Sequence, residues 1–215
     1  MVTGDSIKIA SANCRGLGSV EKRNDVFNYL KNKKYNIICL QDTHFTKSEE
    51  SNISAAWGYN CFFSSLRSNA RGVSIFFTDT FEFKLHDTYS DDTGNVICLD
   101  ITVENVRLTL INIYAPNEDN PMFFDNIKNL IHKYQNSSII LCGDFNLVLN
   151  PVKDLFNYKH INNPRARSKV TNLIEEEFLC DIFRHLYPDK KRYTWRQKTP
   201  FKQARLDFFL LSDNL

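Results

Sequence analysis

The sequence contains no segment that would cross a membrane or direct secretion. No apolar run in its 215 residues approaches the length of a membrane-spanning helix. The first residues, MVTGDSIKIASAN, lack the basic stretch and the following apolar stretch of a signal peptide. We therefore expect an intracellular protein without a membrane partner.

A strong net charge is also absent, and so is any cysteine motif. Lysine and arginine number 27 against 25 aspartates and glutamates, so the formal charge is only +2 and a nucleic-acid-binding surface would require local clustering. The six cysteines include no CxxC pair and no Cys/His group at zinc spacing. Most of them lie in apolar runs, which predicts reduced residues of the core.

The pattern of apolar residues predicts a layered α/β fold. Strand-like runs recur from IKIAS near the start to RLDFFLL near the end, and helical patterns occur in EKRNDVFNYLKNK, PMFFDNIKNLIHKY and SKVTNLIEEEFL. TVENVRLTL is typical of a hairpin, so part of the sheet should be antiparallel, and no GxGxxG motif supports a Rossmann fold. No linker or repeat divides the chain, so we expect one domain over residues 1–215, with NPVKDLFNYKHINNPRARSK as an irregular loop.

Polar residues stand at the ends of several predicted strands, where an open α/β scaffold places its functional groups. The clearest case is SIILCGDFN, in which an apolar strand runs into Gly143, Asp144 and Asn146. Each such residue alone is more often a turn former, but their recurrence at five strand ends favours a site. The other candidates are Asn13, Gln41, Asp42, His44, Tyr114, Asn117 and Asp207.

Other residues that can carry chemistry have a simpler interpretation. The five histidines show no ligand spacing, and we interpret all of them as surface or loop residues. Glu175 to Glu177 are interpreted as a solvated helix face. Asp207 is different, because it lies among Leu206, Phe208 and Phe209, where burying a carboxylate is costly unless a partner meets it.

Seven segments of the chain, in order, match one family's motifs: IKIASANCRGLG, NIICLQDTHFT, RGVSIFF, LINIYAPN, ILCGDFNLVLNP, DIFRHLYPDKKRYTWR and ARLDFFLLS. They resemble the endonuclease/exonuclease/phosphatase superfamily of metal-dependent phosphodiesterases. Within it, the chain is most similar to the apurinic/apyrimidinic-endonuclease-like domain of non-LTR (LINE-type) retrotransposons. The resemblance implies a four-layered α/β sandwich of the DNase I type, with two packed mixed β-sheets flanked by helices.

The resemblance also implies a role for each matching residue. Asp42 and Asn13 would hold or orient Mg²⁺, with Mn²⁺ as an alternative, and Asp144 would orient or deprotonate the attacking water. Asn146 would bind a phosphate oxygen or the nucleophile, and Asp207 would hold a catalytic histidine in position. The implied phosphate contacts are Tyr114 and Asn117.

The sequence departs from the family's pattern in four places. Asp42 stands where the family usually has Glu, Arg15 where some members carry an acidic or amide residue, and Ala204 where Ser is frequent. The family also has one more strand and a Ser-Asp-His loop whose histidine completes the site, whereas this sequence ends at Leu215 without them. We therefore expect a domain that is incomplete at its C-terminus, with its last strand missing and its activity weakened or lost.

The stretch PDKKRYTWRQKTPFKQAR bears on the substrate. It holds seven cations against the single acid Asp189, with Tyr193 and Trp195 available to stack on bases. By resemblance Thr194 and Trp195 lie near DNA, and Arg205 is expected to bind substrate with them. A solvated basic loop is the alternative interpretation of the cluster alone.

Three functions remain as alternatives. The first is a Mg²⁺-dependent endonuclease that nicks one DNA strand for target-primed reverse transcription, working as a monomer in the nucleus with a reverse transcriptase domain downstream. The second is a DNA-binding remnant without turnover. The third is a phosphatase of the same superfamily.

Overall fold

Strands and helices alternate along most of the chain in the computed structural model, which describes residues 6–78, 81–134, 137–158 and 160–215. The strands are β1 (Ile9–Asn13), β2 (Ile37–Gln41), β3 (Cys61–Ser64), β4 (Val73–Phe77), β5 (Lys84–Ser90), β6 (Val96–Val103), β7 (Val106–Tyr114), β8 (Ser138–Asp144), β9 (Leu155–Phe156), β10 (Leu179–Asp181), β11 (Trp195–Gln197), β12 (Lys202–Ala204) and β13 (Asp207–Ser212). The helices are α1 (Val20–Asn32), α2 (Glu50–Trp57), α3 (Pro121–Lys133), α4 (Pro151–Asp154), α5 (Pro164–Glu176) and α6 (Ile182–Leu186), with a 3₁₀ turn at Lys47–Glu49.

Most strands belong to two mixed sheets. The four-stranded sheet has the order β1-β2-β4-β3, and the six-stranded sheet has the order β10-β13-β8-β7-β6-β5. Each contains one parallel pair, β1 with β2 and β7 with β8, and its other pairs are antiparallel. A parallel pair brings the carboxyl ends of two strands to the same edge of a sheet, which is where polar site residues are expected.

The two sheets pack face to face and carry helices on their outer faces. Between them lies an apolar layer to which both sheets contribute, including Ile75 from β4 and Leu99 from β6. Phe27 of α1 and Trp57 of α2 cover the outer face of the four-stranded sheet, and α3 and α5 cover that of the six-stranded sheet. The fold is therefore the predicted α/β sandwich with two mixed sheets flanked by helices.

The local sequence explains where the helices start and which side they bury. Asn120 caps α3, because its side-chain oxygen accepts the backbone N–H of Phe123 at 3.3 Å, and Pro121 occupies the first turn. The buried residues of α3 follow helical spacing and form one stripe: Phe124, Ile127, Leu130 and Ile131. α1 is capped in the same way by Ser19.

The predicted hairpin is confirmed between β6 and β7. Its two turn residues, Glu104 and Asn105, have φ values of 47° and 75°. Positive φ at both central residues matches a turn whose twist suits antiparallel strands. The six cysteines are free thiols, as predicted, and three of them are buried. Within the described ranges, no helix is both long and apolar enough to cross a bilayer.

Two features of the fold differ from the expectation. The stretch expected to be an irregular loop contains α4, β9 and the start of α5, and β9 joins β11 and β12 in a third, small sheet. β5 shows no apolar alternation because it is an edge strand whose residues are largely exposed. A short or exposed strand buries too few side chains to leave a period-two pattern in the sequence.

Buried amides join the two sheets just beneath the edge that carries the candidate site. Gln41 donates to the side-chain oxygen of Asn112 at 2.6 Å, and Asn112 in turn donates to the carbonyl groups of Leu40 and Ser74 at 3.0 and 2.9 Å. Gln41, a candidate site residue in the sequence, is fully buried here and has a structural position. Its contacts fix the four-stranded sheet relative to the six-stranded one.

Candidate active site

Three polar side chains lie in register across neighbouring strands of the six-stranded sheet. Tyr114 of β7 pairs with Asp144 of β8, and Asp144 pairs with Asp207 of β13. Side chains at directly opposed positions of a sheet are close neighbours on the same face. The carboxyl end of β8 therefore places one carboxylate between a phenol and a second carboxylate.

Gly143 makes this arrangement possible. Its φ is +135°, and a Cβ at this position would lie 2.0 Å from the carbonyl oxygen of Ile113 on the neighbouring strand. Only glycine tolerates that approach. The glycine that precedes Asp144 in the sequence is thus required by the packing of β8 against β7.

The Asp144 carboxylate is buried and held from two sides. The Asn13 side-chain amide donates to one carboxylate oxygen at 2.8 Å, and the backbone N–H of Asn146 donates to the other at 2.9 Å. Burial raises the pKa of Asp144, and the charge of Asp42 adds to that, while the bonds from Asn13 and Asn146 partly oppose it. The result is a fixed carboxylate with more affinity for a proton than an exposed one.

The pKa of Asp207 is raised, as is that of Asp144. Burial first, and the charge of Asp144 second, raise its pKa to about 7. The Thr194 hydroxyl and the charge of Arg15 partly oppose this rise. No histidine of the described residues forms a hydrogen bond with Asp207, so its expected role in holding a histidine stays a prediction.

Thr194 is exposed, and its side chain contacts the backbone at the start of β13. Its hydroxyl oxygen accepts the backbone N–H groups of Leu206 and Asp207 at 3.0 and 3.3 Å. These bonds help to set the direction in which Asp207 enters the sheet. The expected substrate-binding residue therefore has a positioning contact that the sequence did not reveal.

Asp42 stands beside the same edge, on the loop that follows β2. Its Oδ1 lies 2.9 Å from Nε2 of His44 and 3.3 Å from the backbone nitrogen of Arg71. His44, interpreted from the sequence as a surface or loop residue, is only partly exposed and forms part of this site. Arg71 had no assigned role, and its signal in the sequence was its position just before the strand GVSIFF.

Left-handed backbone conformations are concentrated at this edge. Non-glycine residues with positive φ cost free energy and persist where the surrounding structure enforces them, frequently at functional sites. Five of them lie in the loops that follow β1, β2 and β8 or precede β4, with φ between 49° and 61°: Arg15, Asp42, His44, Arg71 and Asn146.

Tyr114 keeps its hydroxyl proton in this environment. Burial raises its pKa to about 12, the charges of Asp42 and Asp144 act in the same direction, and a hydrogen bond with Asn117 and the charge of Arg71 partly oppose them. A phenol that stays neutral remains a hydrogen-bond donor. Tyr114 can therefore donate to an anionic oxygen at this edge.

Asn163 connects the loops that follow β7 and β8. Asn163 donates to the carbonyl oxygens of Asn117 and Asn146 at 3.0 and 2.9 Å. Asn146 itself donates its side-chain amide to the carbonyl of Ala115 at 2.7 Å. Sequence reasoning missed Asn163, because it lies in the stretch that was expected to be an irregular loop.

A pocket of about 820 Å³ opens next to these residues. Trp195 and Tyr158 contribute aromatic rings whose centroids lie 6.4 Å apart, and the Lys202 ammonium lies 5.2 Å from the Tyr158 ring. Asn117 and Asn146 line the pocket at the end nearest the carboxylates. The expected contacts Asn117, Asn146 and Trp195 are thus brought to one cavity.

Arg205 was expected to bind substrate, but the structure places it inside the protein. Its side chain is 3% exposed, and its guanidinium pairs with Asp154 at 2.9 Å and Asp181 at 2.6 Å. It also lies over the ring of Phe208. An arginine already engaged with two carboxylates inside the protein is not available to a phosphate, so we leave it out of the proposed binding surface.

The other cations of the basic stretch are exposed or half-buried. Asp189, the one acid among them, pairs with Lys153 at 2.9 Å, outside the stretch. Six of them form no ion pair within the described part of the chain. They are Lys190, Lys191, Arg192, Arg196, Lys198 and Lys202.

The donor chemistry of the edge suits a divalent cation in part. Asp42, Asp144 and Asp207 offer carboxylate oxygens, the hard ligands that Mg²⁺ prefers, and their mutual repulsion would be relieved by a cation. Among the residues that the structure describes, however, no group of three or more acidic, histidine or cysteine side chains is assembled as a metal cluster. The Asn13 side-chain oxygen accepts the backbone N–H of Arg15 at 3.0 Å, so this residue positions Asp144 in the geometry seen here.

The fold and the residues at this edge define an α/β sandwich of the phosphoesterase type. Comparison with known proteins identifies the family. The family model described as "Endonuclease/Exonuclease/phosphatase family" matches residues 10–215. The chain belongs to this family, which confirms the class of enzyme expected from the sequence motifs.

Individual relatives include proteins of transposons and of DNA metabolism. The chain is 24% identical to the "Transposon TX1 uncharacterized 149 kDa protein" of Xenopus laevis, matching over 98% of the chain but only 16% of that protein's length. It is 27% identical to an exodeoxyribonuclease of Bacillus subtilis over 97% of the chain and 89% of that protein. Among solved structures, an AP endonuclease from Leishmania major superposes with a TM-score of 0.79 at 17% identity, covering 96% of this chain and 78% of that one. This last likeness establishes the fold.

Proposed function

We propose that the chain is a Mg²⁺-dependent phosphodiesterase domain that nicks one strand of DNA. The observation that carries the proposal is the buried Asp144, held by Asn13 and flanked in register by Tyr114 and Asp207. The family match and a relative named as an exodeoxyribonuclease support it.

Asp144 is the residue best placed to accept a proton from the attacking water. Two hydrogen bonds fix its carboxylate, and burial raises its pKa toward the range in which a carboxylate is an effective general base. Asn13 fixes the orientation of Asp144 and is a positioning residue. Because both oxygens of Asp144 already accept one hydrogen bond each, the water would occupy a remaining lone pair.

Charge that develops on the phosphate meets neutral donors at this edge. The Tyr114 hydroxyl and the side-chain amides of the site loops can donate to phosphate oxygens without repelling them. Mg²⁺, held by Asp42 together with water ligands, would add positive charge next to the phosphate when bound. Asp207, with a pKa of about 7, carries a proton part of the time at neutral pH, which lowers its repulsion of the phosphate.

DNA is the substrate class that fits the surroundings best. The pocket beside Asn146 joins aromatic rings to Lys202 of β12. The other five cations without ion pairs lie between residues 190 and 198, before, within and directly after β11. Aromatic faces stack on bases, and cations neutralise backbone phosphates. We further propose that the chain nicks target DNA for reverse transcription, as a monomer in the nucleus with a reverse transcriptase domain downstream. The relative from a transposon, of whose length the chain matches only 16%, supports a place in a larger transposon protein.

Incubation of the chain with supercoiled plasmid tests this function. We expect conversion to the nicked circle in Mg²⁺ and none in EDTA. Nicking that persists in EDTA, or turnover of an inositol phosphate without turnover of plasmid, would contradict the proposal. The latter result would favour a phosphatase.

A DNA-binding domain without turnover is the second candidate. The observation that favours it is that no acidic or histidine cluster is preassembled for a metal among the described residues. Salt-dependent plasmid binding by the folded chain, with no nicking at any Mg²⁺ concentration, would support it and contradict the first proposal.

A further inference from the structure

Arg15 lies in a loop that continues the parallel pairing of the four-stranded sheet beyond its last strand residues. The backbone N–H of Cys14 donates to the carbonyl of Gln41 at 2.8 Å, and that of Gly16 donates to the carbonyl of Asp42 at 2.7 Å. Arg15 is therefore placed between two hydrogen bonds to the loop that carries Asp42. Its own position is fixed by backbone contacts rather than by its side chain.

The backbone of Arg15 is held in an unfavourable conformation. Its φ is +49°, its N–H donates to the Asn13 side chain at 3.0 Å, and its carbonyl accepts from Nζ of Lys22 at 3.0 Å. A left-handed arginine costs free energy, so the surrounding contacts must compensate for it. The same Asn13 that orients Asp144 thus also orients the loop from which the Arg15 side chain projects.

The charges at this edge are strongly unequal. Asp42, Asp144 and Asp207 bring three carboxyl groups together, and within the described residues no lysine or arginine lies in ion-pair distance of any of them. The positive charge of Arg15 acts on both Asp144 and Asp207, where it lowers the pKa. Its side chain is exposed and its guanidinium has no hydrogen-bond partner among the residues described.

Arg71, the other arginine at this edge, is already engaged. Its guanidinium donates to the side-chain oxygen of Asn95 at 3.1 Å, and its backbone nitrogen lies 3.3 Å from Asp42. Of the two, Arg15 is the one whose guanidinium has no hydrogen-bond partner among the described residues. The three carboxyl groups repel an incoming phosphodiester, and the Arg15 guanidinium would offset part of that repulsion alongside the neutral donors and the Mg²⁺ proposed above.

We propose that Arg15 binds a backbone phosphate of the DNA at this edge, with its guanidinium fork on two phosphate oxygens. The inference rests on the proposed function for the identity of the substrate. The planar guanidinium matches the spacing of two phosphate oxygens, which an ammonium group does not. Arg15 would thereby anchor the strand whose phosphodiester lies next to Asp144.

The salt dependence of DNA binding tests this contact without depending on hydrolysis. Affinity for a short duplex is measured in EDTA across a range of NaCl for the wild-type chain, Arg15→Met and Arg15→Lys. Each phosphate contact contributes about 0.9 to the slope of log affinity against log salt. Arg15→Met should reduce the slope by about 1 and weaken binding by about tenfold, whereas Arg15→Lys should keep the slope and lose only part of the affinity. Neither substitution introduces a β-branch, so both keep the backbone cost of the left-handed position comparable.

Lys84→Met is the matched control. Lys84 is exposed and pairs through β5 with Thr102, at the end of the six-stranded sheet opposite to Asp144. It should leave both slope and affinity unchanged. An equal loss in Lys84→Met and Arg15→Met, or no change in Arg15→Met, would overturn the inference.

The inference and the proposed function fail in different ways. A chain that nicks plasmid but binds DNA identically after Arg15→Met overturns the phosphate contact alone. A chain that does not nick, yet shows the Arg15-dependent slope, overturns the hydrolysis and supports the contact. Thermal unfolding of each variant confirms that the comparison is made on folded chains.

Discussion

At the scale of single residues, the defining feature is a pair of carboxyl groups that face each other across two strands. Asp144 and Asp207 are in register, and the charge of Asp144 adds to burial in raising the pKa of Asp207. Neither has a cation in ion-pair contact among the described residues. Such a pair is costly in an isolated protein and is retained where a cation or a substrate uses it.

The pKa of Asp207 predicts how stability depends on pH. Its folded-state pKa is about 7, whereas the ordinary pKa of an aspartate is 3.8, so the folded chain binds the proton more tightly than the unfolded chain. The contribution is fully present below pH 3.8 and is lost as pH rises through about 7. Asp207→Asn removes this dependence, so relative to wild type it should gain about 1–2 kcal/mol of unfolding free energy between pH 4.5 and pH 8, a value discounted for the partial exposure of the side chain.

Urea unfolding in EDTA at both pH values measures the difference. Asp92→Asn, at an exposed position, is the control and should follow the wild-type pH dependence. Equal pH dependence in wild type and Asp207→Asn would show that Asp207 is not perturbed as described.

The sequence predicted the site residues whose signal is local. Asp144 and Tyr114 each end an apolar strand, and the strand itself brings them to the edge. Arg205 was wrong as a substrate contact, because a basic stretch shows charge but not burial, and its partners Asp154 and Asp181 are distant in the sequence. Contacts between residues far apart along the chain leave no periodic pattern.

At the scale of elements, an ion network fixes β13 to the helices beside it. Arg205 precedes β13 and pairs with Asp154 at the end of α4 and with Asp181 at the end of β10, and Arg184 of α6 adds a contact to Asp154 at 2.6 Å. Asp154 is fully buried. The network therefore helps to determine where Asp207, two residues after Arg205, enters the sheet.

Arg205→Met should be strongly destabilising. It leaves Asp154 buried without its main partner, and breaking a buried pair from one side typically costs about 3–5 kcal/mol. The measurement is the free energy of unfolding in urea. Arg165→Met is the control, because Arg165 is 74% exposed in its pair with Asp119 and should lose at most about 1 kcal/mol. Equal effects of the two substitutions would contradict a structural role for the Arg205 network.

An element can be predicted from the sequence when it buries enough side chains to leave an apolar pattern. β8 buries all of its residues and α3 has a clear apolar stripe, and both are found where the sequence indicates. β9, β11 and β12 have two or three residues each and depend on one another for pairing. Segments that short carry little information of their own, so the small sheet beside the pocket emerges only in three dimensions.

At the scale of the whole molecule, the site depends on both sheets. Asn13 and Asp42 come from the four-stranded sheet and its following loops, and Asp144 and Asp207 from the six-stranded one. The 2.8 Å bond from Asn13 to Asp144 crosses between them, just above the buried amides of Gln41 and Asn112. The site therefore requires the two sheets to be packed together. The sandwich could be predicted from the family's motifs, whereas the hydrogen bonds between the sheets could not.

The most direct test of the central claim is the initial rate of plasmid nicking in Mg²⁺ for the wild-type chain, Asp144→Asn and Lys84→Met. Asp144→Asn keeps the size of the side chain and removes its ability to accept the proton of water. We predict nicking by wild type and Lys84→Met at equal rates, with a loss of about 100-fold or more in Asp144→Asn. An Asp144→Asn variant that nicks as fast as wild type, or a folded wild-type chain that does not nick at all, would contradict the account.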